Sequence, residues 1–218
     1  MSTPERKLSE GSPLPDGVPA CGQASCARDR IFEAARKLFY KFGIRGVSVD
    51  AIAAEADTTK VTLYRVFDSK EQLICEVLED QAQRFWAWWD SVIARHAGKP
   101  REQIAALFSE LRDFMEKETA ERGCLLGNAA VEVVEEDHPA RAVLLKHKGE
   151  KVRRMRAICR ELGARQPDAL ADALMLLMKG MLTTRVGGDG TGHVHSSYEA
   201  AMVLVDSPSL GVVPKAKR

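Results

Sequence analysis

The chain has 218 residues, of which 45% are apolar and 29% charged, and its 32 Lys and Arg nearly balance 31 Asp and Glu for a formal net charge of +1. That length can bury a core in one or two domains, and the near-neutral charge excludes a generic polycationic nucleic-acid coat. With no apolar run of about 18 residues and no apolar signal region near the N-terminus, a cytoplasmic protein without membrane contact is expected.

Residues 1–27 carry prolines at 4, 13, 15 and 19, glycines at 11, 17 and 22, and few large apolar side chains. Such a composition cannot offset the entropy of ordering, so 1–27 is expected to be a disordered arm. From Arg28 to Phe42 the residues Ile31, Ala35, Leu38, Phe39 and Phe42 form the inner stripe of an amphipathic helix, and Gly43-Ile44-Arg45-Gly46 follows as a turn. Ser48 stands where its oxygen can cap a short helix over Val49 to Ala56, whose apolar face is Val49, Ile52, Ala53 and Ala56.

Asp57, Thr58 and Thr59 compete with the helix for backbone hydrogen bonds and should end it. Asp57 occupies a position suited to left-handed backbone, which Asp tolerates better than most residues. Thr59 then caps a second short helix, Lys60 to Val66, in which Leu63 and Phe67 face inward and Lys60, Val61, Thr62, Tyr64 and Arg65 face outward. Ser69 with Gln72 makes a capping box for the next helix, and Lys70 in its first turn opposes the helix dipole unless an anion is meant to sit nearby.

The outward set suits a DNA groove. Arg and Lys donate to guanine edges or phosphates, Thr bonds to either, the methyls of Val61 or Thr62 can touch a thymine methyl, and Tyr64 can reach a phosphate. Residues 28–70 hold nine Lys or Arg against six Asp or Glu, whereas 71–218 hold 21 against 22, so the basic excess is modest and local to this segment. From Arg28 through Leu73 the pattern resembles the N-terminal signature of the tetracycline-repressor-like (TetR/AcrR) family of bacterial transcription regulators. It departs at Asp57, where the family usually has Gly, and at Val61, where a smaller residue is common. The resemblance implies contact with double-stranded operator DNA through Arg28, Arg45, Ser48, Thr59, Lys60, Val61, Thr62, Tyr64, Arg65 and Lys70.

Beyond the motif, only helical periodicity recurs. Ser69 to about His96 carries Leu73, Ile74, Val77, Leu78, Phe85, Trp88, Trp89, Val92 and Ile93 on a broad stripe, long enough to couple the reader to a body. Gly98-Lys99-Pro100 breaks it; Arg101 to about Glu121 follows, then a helix opening at Gly123-Cys124-Leu125-Leu126 and ending near Asp137-His138-Pro139, then one to about Leu162. The run from Gly123 to Ala130 with the later His138-Pro139 is similar to the C-terminal domain of one branch of the same family. That similarity implies a cavity for a small-molecule effector of unstated identity. Its candidate lining is Trp88, Trp89, Phe108, Phe114, Met115, Met175 and Met178, with Cys124 and Asn128 as polar points, although aromatic and Met stripes also serve plain packing.

From Asp168 to Val186, Leu170, Leu174, Leu177, Met178 and Met181 form an inner stripe while Ala173, Leu176, Gly180 and Thr184 form a second small, apolar face. With a short helix from Tyr198 to Val205, contributing Tyr198, Ala201, Met202 and Val205, these residues are expected to form a four-helix interface of a homodimer, as the resemblance implies. The stretch 187–195 reads as a flexible connector, its His193, His195 and Asp189 lacking a further ligand at metal spacing. Residues 207–218, with two prolines and a basic tip, read as a flexible tail. Five scattered cysteines, at 21, 26, 75, 124 and 159, form no paired motif and read as structural thiols. No nucleophile elbow, His-Glu-x-x-His or isolated carboxylate pair marks catalysis, and no cofactor or metal is implied.

The expected fold class is therefore all-α: an N-terminal three-helix helix-turn-helix domain over 28–70 and a larger helical effector-binding and dimerisation domain over 71–206. The expected function is a transcription regulator, most often a repressor in this family, released from a palindromic operator by an effector. A ligand-independent DNA-binding accessory protein and a helical ligand-handling bundle are the alternatives.

Overall fold

The computed structural model of the protein describes residues 27–115, 122–183 and 191–212, and these form nine α-helices and no strand. Helices α1 (Ala27–Phe42), α2 (Val49–Glu55) and α3 (Lys60–Val66) form a three-helix unit, and α4 (Lys70–Arg95) leads out of it. The rest of the body is α5 (Pro100–Met115), α6 (Leu125–Glu132), α7 (Ala140–Glu161), α8 (Pro167–Thr183) and α9 (Thr191–Val205). None of the described helices is long and apolar enough to cross a membrane.

The sequence signals act where they stand. Ser48 Oγ accepts from the Ala51 N–H at 3.1 Å, Thr59 Oγ1 from Thr62 at 3.1 Å and Ser69 Oγ from Gln72 at 3.0 Å, so α2, α3 and α4 each begin on a side-chain cap. At the end of α2, Thr58 N–H donates to Ala53 O at 2.9 Å and Asp57 N–H to Ala54 O at 3.2 Å, the paired bonds of a Schellman motif. That motif places its closing residue in left-handed backbone. Asp57 is there at φ 48°, alone among the described non-glycine residues in having positive φ.

Two apolar clusters organise the packing. The first joins Ile31, Ala35 and Phe39 of α1, Ile52 of α2, Leu63 of α3, Phe67, and Leu73, Ile74, Val77 and Leu78 of α4. It does not close at residue 70, because Leu125, Leu126 and Ala129 of α6 and Leu144 of α7 belong to it as well. The second joins Trp88, Trp89 and Val92 of α4 to Phe108 of α5, Met155 of α7, Leu174 and Met178 of α8, and Val194 and Val205 of α9. Helix α4 thus has one end in each cluster.

The structure differs from expectation at two helix boundaries and in the tail. Helix α6 stops at Glu132 rather than near Asp137, since the acidic run Glu135-Glu136-Asp137 would lie against the negative end of its dipole. Helix α9 begins at Thr191 rather than Tyr198, so 191–195 is not connector: Val194, buried beside the second cluster, extends the stripe of Ala201 and Val205 back by two turns. Residues 207–212 are not frayed. Arg165 N–H donates to Gly211 O and Gln166 N–H to Leu210 O, both at 3.2 Å, while Val212 N–H donates to Val205 O at 3.0 Å. The expected arm over 1–27 lies outside the described residues except for Ala27, as do 116–121, 184–190 and 213–218.

Along α7 the buried stripe runs Ala140, Leu144, His147, Met155, Ile158 and Cys159, with Lys151 filling the position between His147 and Met155. The His147 imidazole lies edge-on to Phe85 and tilted against Trp86, each with ring centroids 5.0 Å apart. Burial, reinforced by the charge of Lys151, pushes its pKa down to about 4. The folded protein therefore binds the His147 proton later on acidification than the unfolded chain does. Stability should fall as pH drops from about 6.5 toward 4, by at most about 1.4 kcal/mol per pH unit from this residue. Urea denaturation across that window should show the slope in the native sequence and a smaller one in His147→Leu.

Candidate DNA-binding interface

Helix α3 is held from one side and free on the other. Leu63 is 0% and Phe67 1% exposed, whereas Val61 is 79% and Tyr64 45% exposed, with Arg65 beside them. Val61, Tyr64 and Arg65 stand at i, i+3 and i+4, so they share one outward face. Arg65 makes no ion pair among the described residues, while Lys60 Nζ lies 3.3 Å from Asp50 Oδ2 in an exposed contact that water and salt weaken readily. Thr62 is half-buried and its hydroxyl lies 3.0 Å from that of Thr59, so Ser48, Thr59 and Thr62 serve the local caps first.

Three further residues named from the sequence turn toward the protein instead. The Arg28 guanidinium covers the Phe67 ring at 4.7 Å and pairs with Glu76. Lys70 donates from Nζ to Ile44 O at 2.9 Å, tying the start of α4 to the turn after α1; burial lowers its pKa, partly offset by Glu71 and Glu132. Arg45 is bound most fully. Its backbone N–H donates to Glu132 Oε2 at 2.9 Å, its Nε to Glu132 O at 2.7 Å, and another guanidinium nitrogen to Glu135.

These bonds form a clamp between the end of α6 and the α1–α2 turn. Gly43 has φ +80° and so closely faces the Glu132 carboxylate that a Cβ there would lie 2.5 Å from an oxygen. On the far side of α6, Arg122 donates to Lys41 O at 2.6 Å, and Asn128 Nδ2 holds the Arg122 carbonyl at 2.7 Å. Glu132 and Arg122 escaped notice in the sequence because each reads as one more charge on a solvated face. The Gly43 turn was legible, but its partner stands 89 residues away along the chain.

The effector-lining candidates do not gather into one site. Trp88, Trp89, Phe108, Met115 and Met178 are buried in the second cluster with Phe114 and Met175 packed against it, and the Trp88 indole N–H is satisfied by Glu110 at 3.1 Å. Cys124 packs against the first cluster, and Asn128 is occupied by its bond to Arg122. A groove of about 870 Å³ lies instead beside α1, lined by Arg30, Lys37, Tyr40, Glu55, Arg122 and neighbouring residues, and none of the nine candidates lines it. Of the interface candidates, Leu176 is 72% exposed, Gly180 is exposed and Ala173 half-buried, so α8 keeps an outward face. Ala201, Met202 and Val205 do not: all three are buried in the protomer's own core, because α9 packs on α5 and α8 through that stripe, and Val203 is the outward residue. Tyr198 is half-buried beneath the Arg112 guanidinium at 5.5 Å, and Thr184 lies outside the described residues.

A capped two-helix motif with one exposed reading face, carried on an all-helical body, defines a helix-turn-helix protein. Residues 31–77 match the family model described as bacterial regulatory proteins, tetR family, and residues 100–185 match that described as tetracyclin repressor-like, C-terminal domain. The chain belongs to the tetR family of bacterial regulatory proteins. It is 31% identical over 106 residues to the HTH-type transcriptional repressor SCO4008 of Streptomyces coelicolor, an overlap of 44% of this chain and 55% of that one. It spans about half the length of the curated relatives it matches. In fold it is similar to SCO4454, a TetR-family transcriptional regulator of the same organism, with a TM-score of 0.74 at 24% identity over 81% of this chain and 94% of the other. It is similar too, with a TM-score of 0.71 at 24% identity over 80% of this chain and 95% of the other, to a cysteine mutant of the TetR family transcriptional regulator CifR complexed with 26-base-pair double-strand operator DNA.

If the clamp couples the two halves, removing either partner should cost about 1–3 kcal/mol and the two losses should not add. A double-mutant cycle of Arg45→Ala and Glu132→Ala, read by urea denaturation, should therefore return a coupling energy above about 0.5 kcal/mol. Additive losses would show the contact to be incidental.

Proposed function

We propose that the protein is a transcription regulator that binds a palindromic operator as a homodimer and is released by a small-molecule effector. The observation that carries the reading is the orientation of α3. Its inner residues Leu63 and Phe67 are buried, and Val61, Tyr64 and Arg65 together face outward with no ion pair among the described residues that must first be broken. Arg65 would read a guanine edge, Val61 a thymine methyl, and Tyr64 and Lys60 the phosphates. The naming of the relative SCO4008 as a repressor favours repression as the direction of control.

The dimer reading draws on the outward apolar residues Leu176 of α8 and Val203 of α9, 72% and 69% exposed. A two-fold pairing through these helices would carry two copies of α3 to successive major grooves, about 34–36 Å apart. Effector release works through differential affinity: a ligand that favours a spacing of the two α3 helices unlike that of the operator draws the population off DNA.

Selection of binding sites from random double-stranded DNA at physiological salt should enrich a palindrome. Arg65→Ala should then lose about 5- to 150-fold in affinity for that palindrome and relax the preference at one base pair of each half-site. Lys60→Ala should weaken all sequences alike and flatten the salt dependence. Absence of any enriched sequence would overturn the reading.

A further inference from the structure

Two cationic or polar groups occupy successive positions of the buried stripe of α7, where every other position is apolar. His147 is only 6% exposed, and neither of its ring nitrogens has a hydrogen-bond partner. One turn on, Lys151 is half-buried, makes no ion pair with any described carboxylate, and holds its ammonium 4.8 Å from the centre of the Phe85 ring. Phe85 and Trp86 of α4 supply the rings against which the imidazole lies. The third wall is the start of α6, where Cys124 is within electrostatic reach of Lys151 and makes no side-chain cap to the helix it precedes.

A lone cation and an unsatisfied imidazole are expensive to bury. Each unmet polar group is destabilising, and an unpaired charge withdrawn from water more so. Apolar residues at 147 and 151 would pack the stripe without that cost; the ring contacts with Phe85 and Trp86 offset part of it but supply neither a counter-charge nor a hydrogen-bond partner. The neighbouring cations show the contrast: Arg154, which covers the Trp86 ring at 4.4 Å, is paired with both Glu150 and Asp90. Lys151 has the aromatic contact without the carboxylate.

We propose that His147, Lys151, Phe85 and Trp86 form the binding site for a small aromatic carboxylate, its carboxylate paired with Lys151 and hydrogen-bonded to His147 and its ring stacked on the α4 aromatics. A carboxylate supplies the missing counter-charge and acceptor together, and an aromatic body matches the walls. The neutral imidazole, its pKa pushed down to about 4, offers one N–H donor and one acceptor, so a hydroxyl on the ligand could take the second nitrogen. The site rests on the reading of the protein as an effector-responsive regulator, and it assigns the class of effector. It joins α4 to α7 above the point where α4 enters the three-helix unit, so occupancy would bear directly on the helix that carries α3.

All three tryptophans of the chain, Trp86, Trp88 and Trp89, lie at or next to this site, so intrinsic fluorescence reports on it. Titration of the full chain with benzoate, phenylacetate and 4-hydroxybenzoate should give saturable quenching by at least one, whereas benzamide should bind at least tenfold more weakly. Lys151→Met should abolish that preference for the acid, and His147→Leu should weaken the acid about tenfold. Because Lys151→Met replaces a half-buried, unpaired ammonium with an apolar chain of similar length, it should melt no lower than the native sequence, which shows that the variant folds. Binding of none of the three acids, or equal binding by native and Lys151→Met protein, would overturn the site. Operator binding measured on the same preparations separates the two readings: DNA binding without acid binding defeats this site alone, and acid binding without DNA binding defeats the regulator alone.

Discussion

A seven-residue helix does not persist by itself in water, because the cost of its first turn is not recovered over so short a length. Helix α3 exists because Leu63 and Phe67 are fully buried against α1, α2 and the start of α4, at a gain of about 1.5–3 kcal/mol for each side chain. The orientation of the reading face follows from that anchorage. With Leu63 fixed inward, helical geometry sends Val61, Tyr64 and Arg65 outward, and the Thr59 cap and Asp57 turn fix where the helix begins. Arg28 over Phe67 and Lys70 on the Ile44 carbonyl serve the same end. They hold the three-helix unit in shape.

The three-helix unit is also not an independent body. Its apolar cluster is completed by α6 and α7, and the Arg45–Glu132 clamp with the Gly43 turn fastens the end of α6 to the turn between α1 and α2. Helix α4 adds a second connection, since it packs against α1 and α6 and also against α5 and α7. Helices α6 and α7 therefore meet the three-helix unit by two routes, one polar and one apolar.

What could be read in the sequence, and what could not, divides along the range of the interaction. The caps at Ser48, Thr59 and Ser69, the turn at Asp57 and the stripe of α1 depend on residues within a few positions of one another, and they stood plainly in the chain. Contacts across long separations did not. Nothing local marks Glu132 as the partner of Arg45, or shows that Ala201 and Val205 face the protomer's own core, since a helix apolar all round gives no hint of which side meets which neighbour. Val194, which starts the α9 stripe, was hidden in a run of Gly and polar residues that looked like a connector. His147 and Lys151 carried a legible signal that was passed over: two polar residues at consecutive positions of a 3- and 4-residue apolar repeat.

The claim on which the functional account turns is that α3 enters the major groove once per half-site. Guanine N7 lies on the major-groove edge, so dimethyl sulfate interference on an operator bound by the full chain reports that contact directly. The account predicts interference in two patches on one face of the duplex, about one helical turn apart and both lost on Arg65→Ala. Interference confined to one patch, or indifferent to Arg65→Ala, would contradict it.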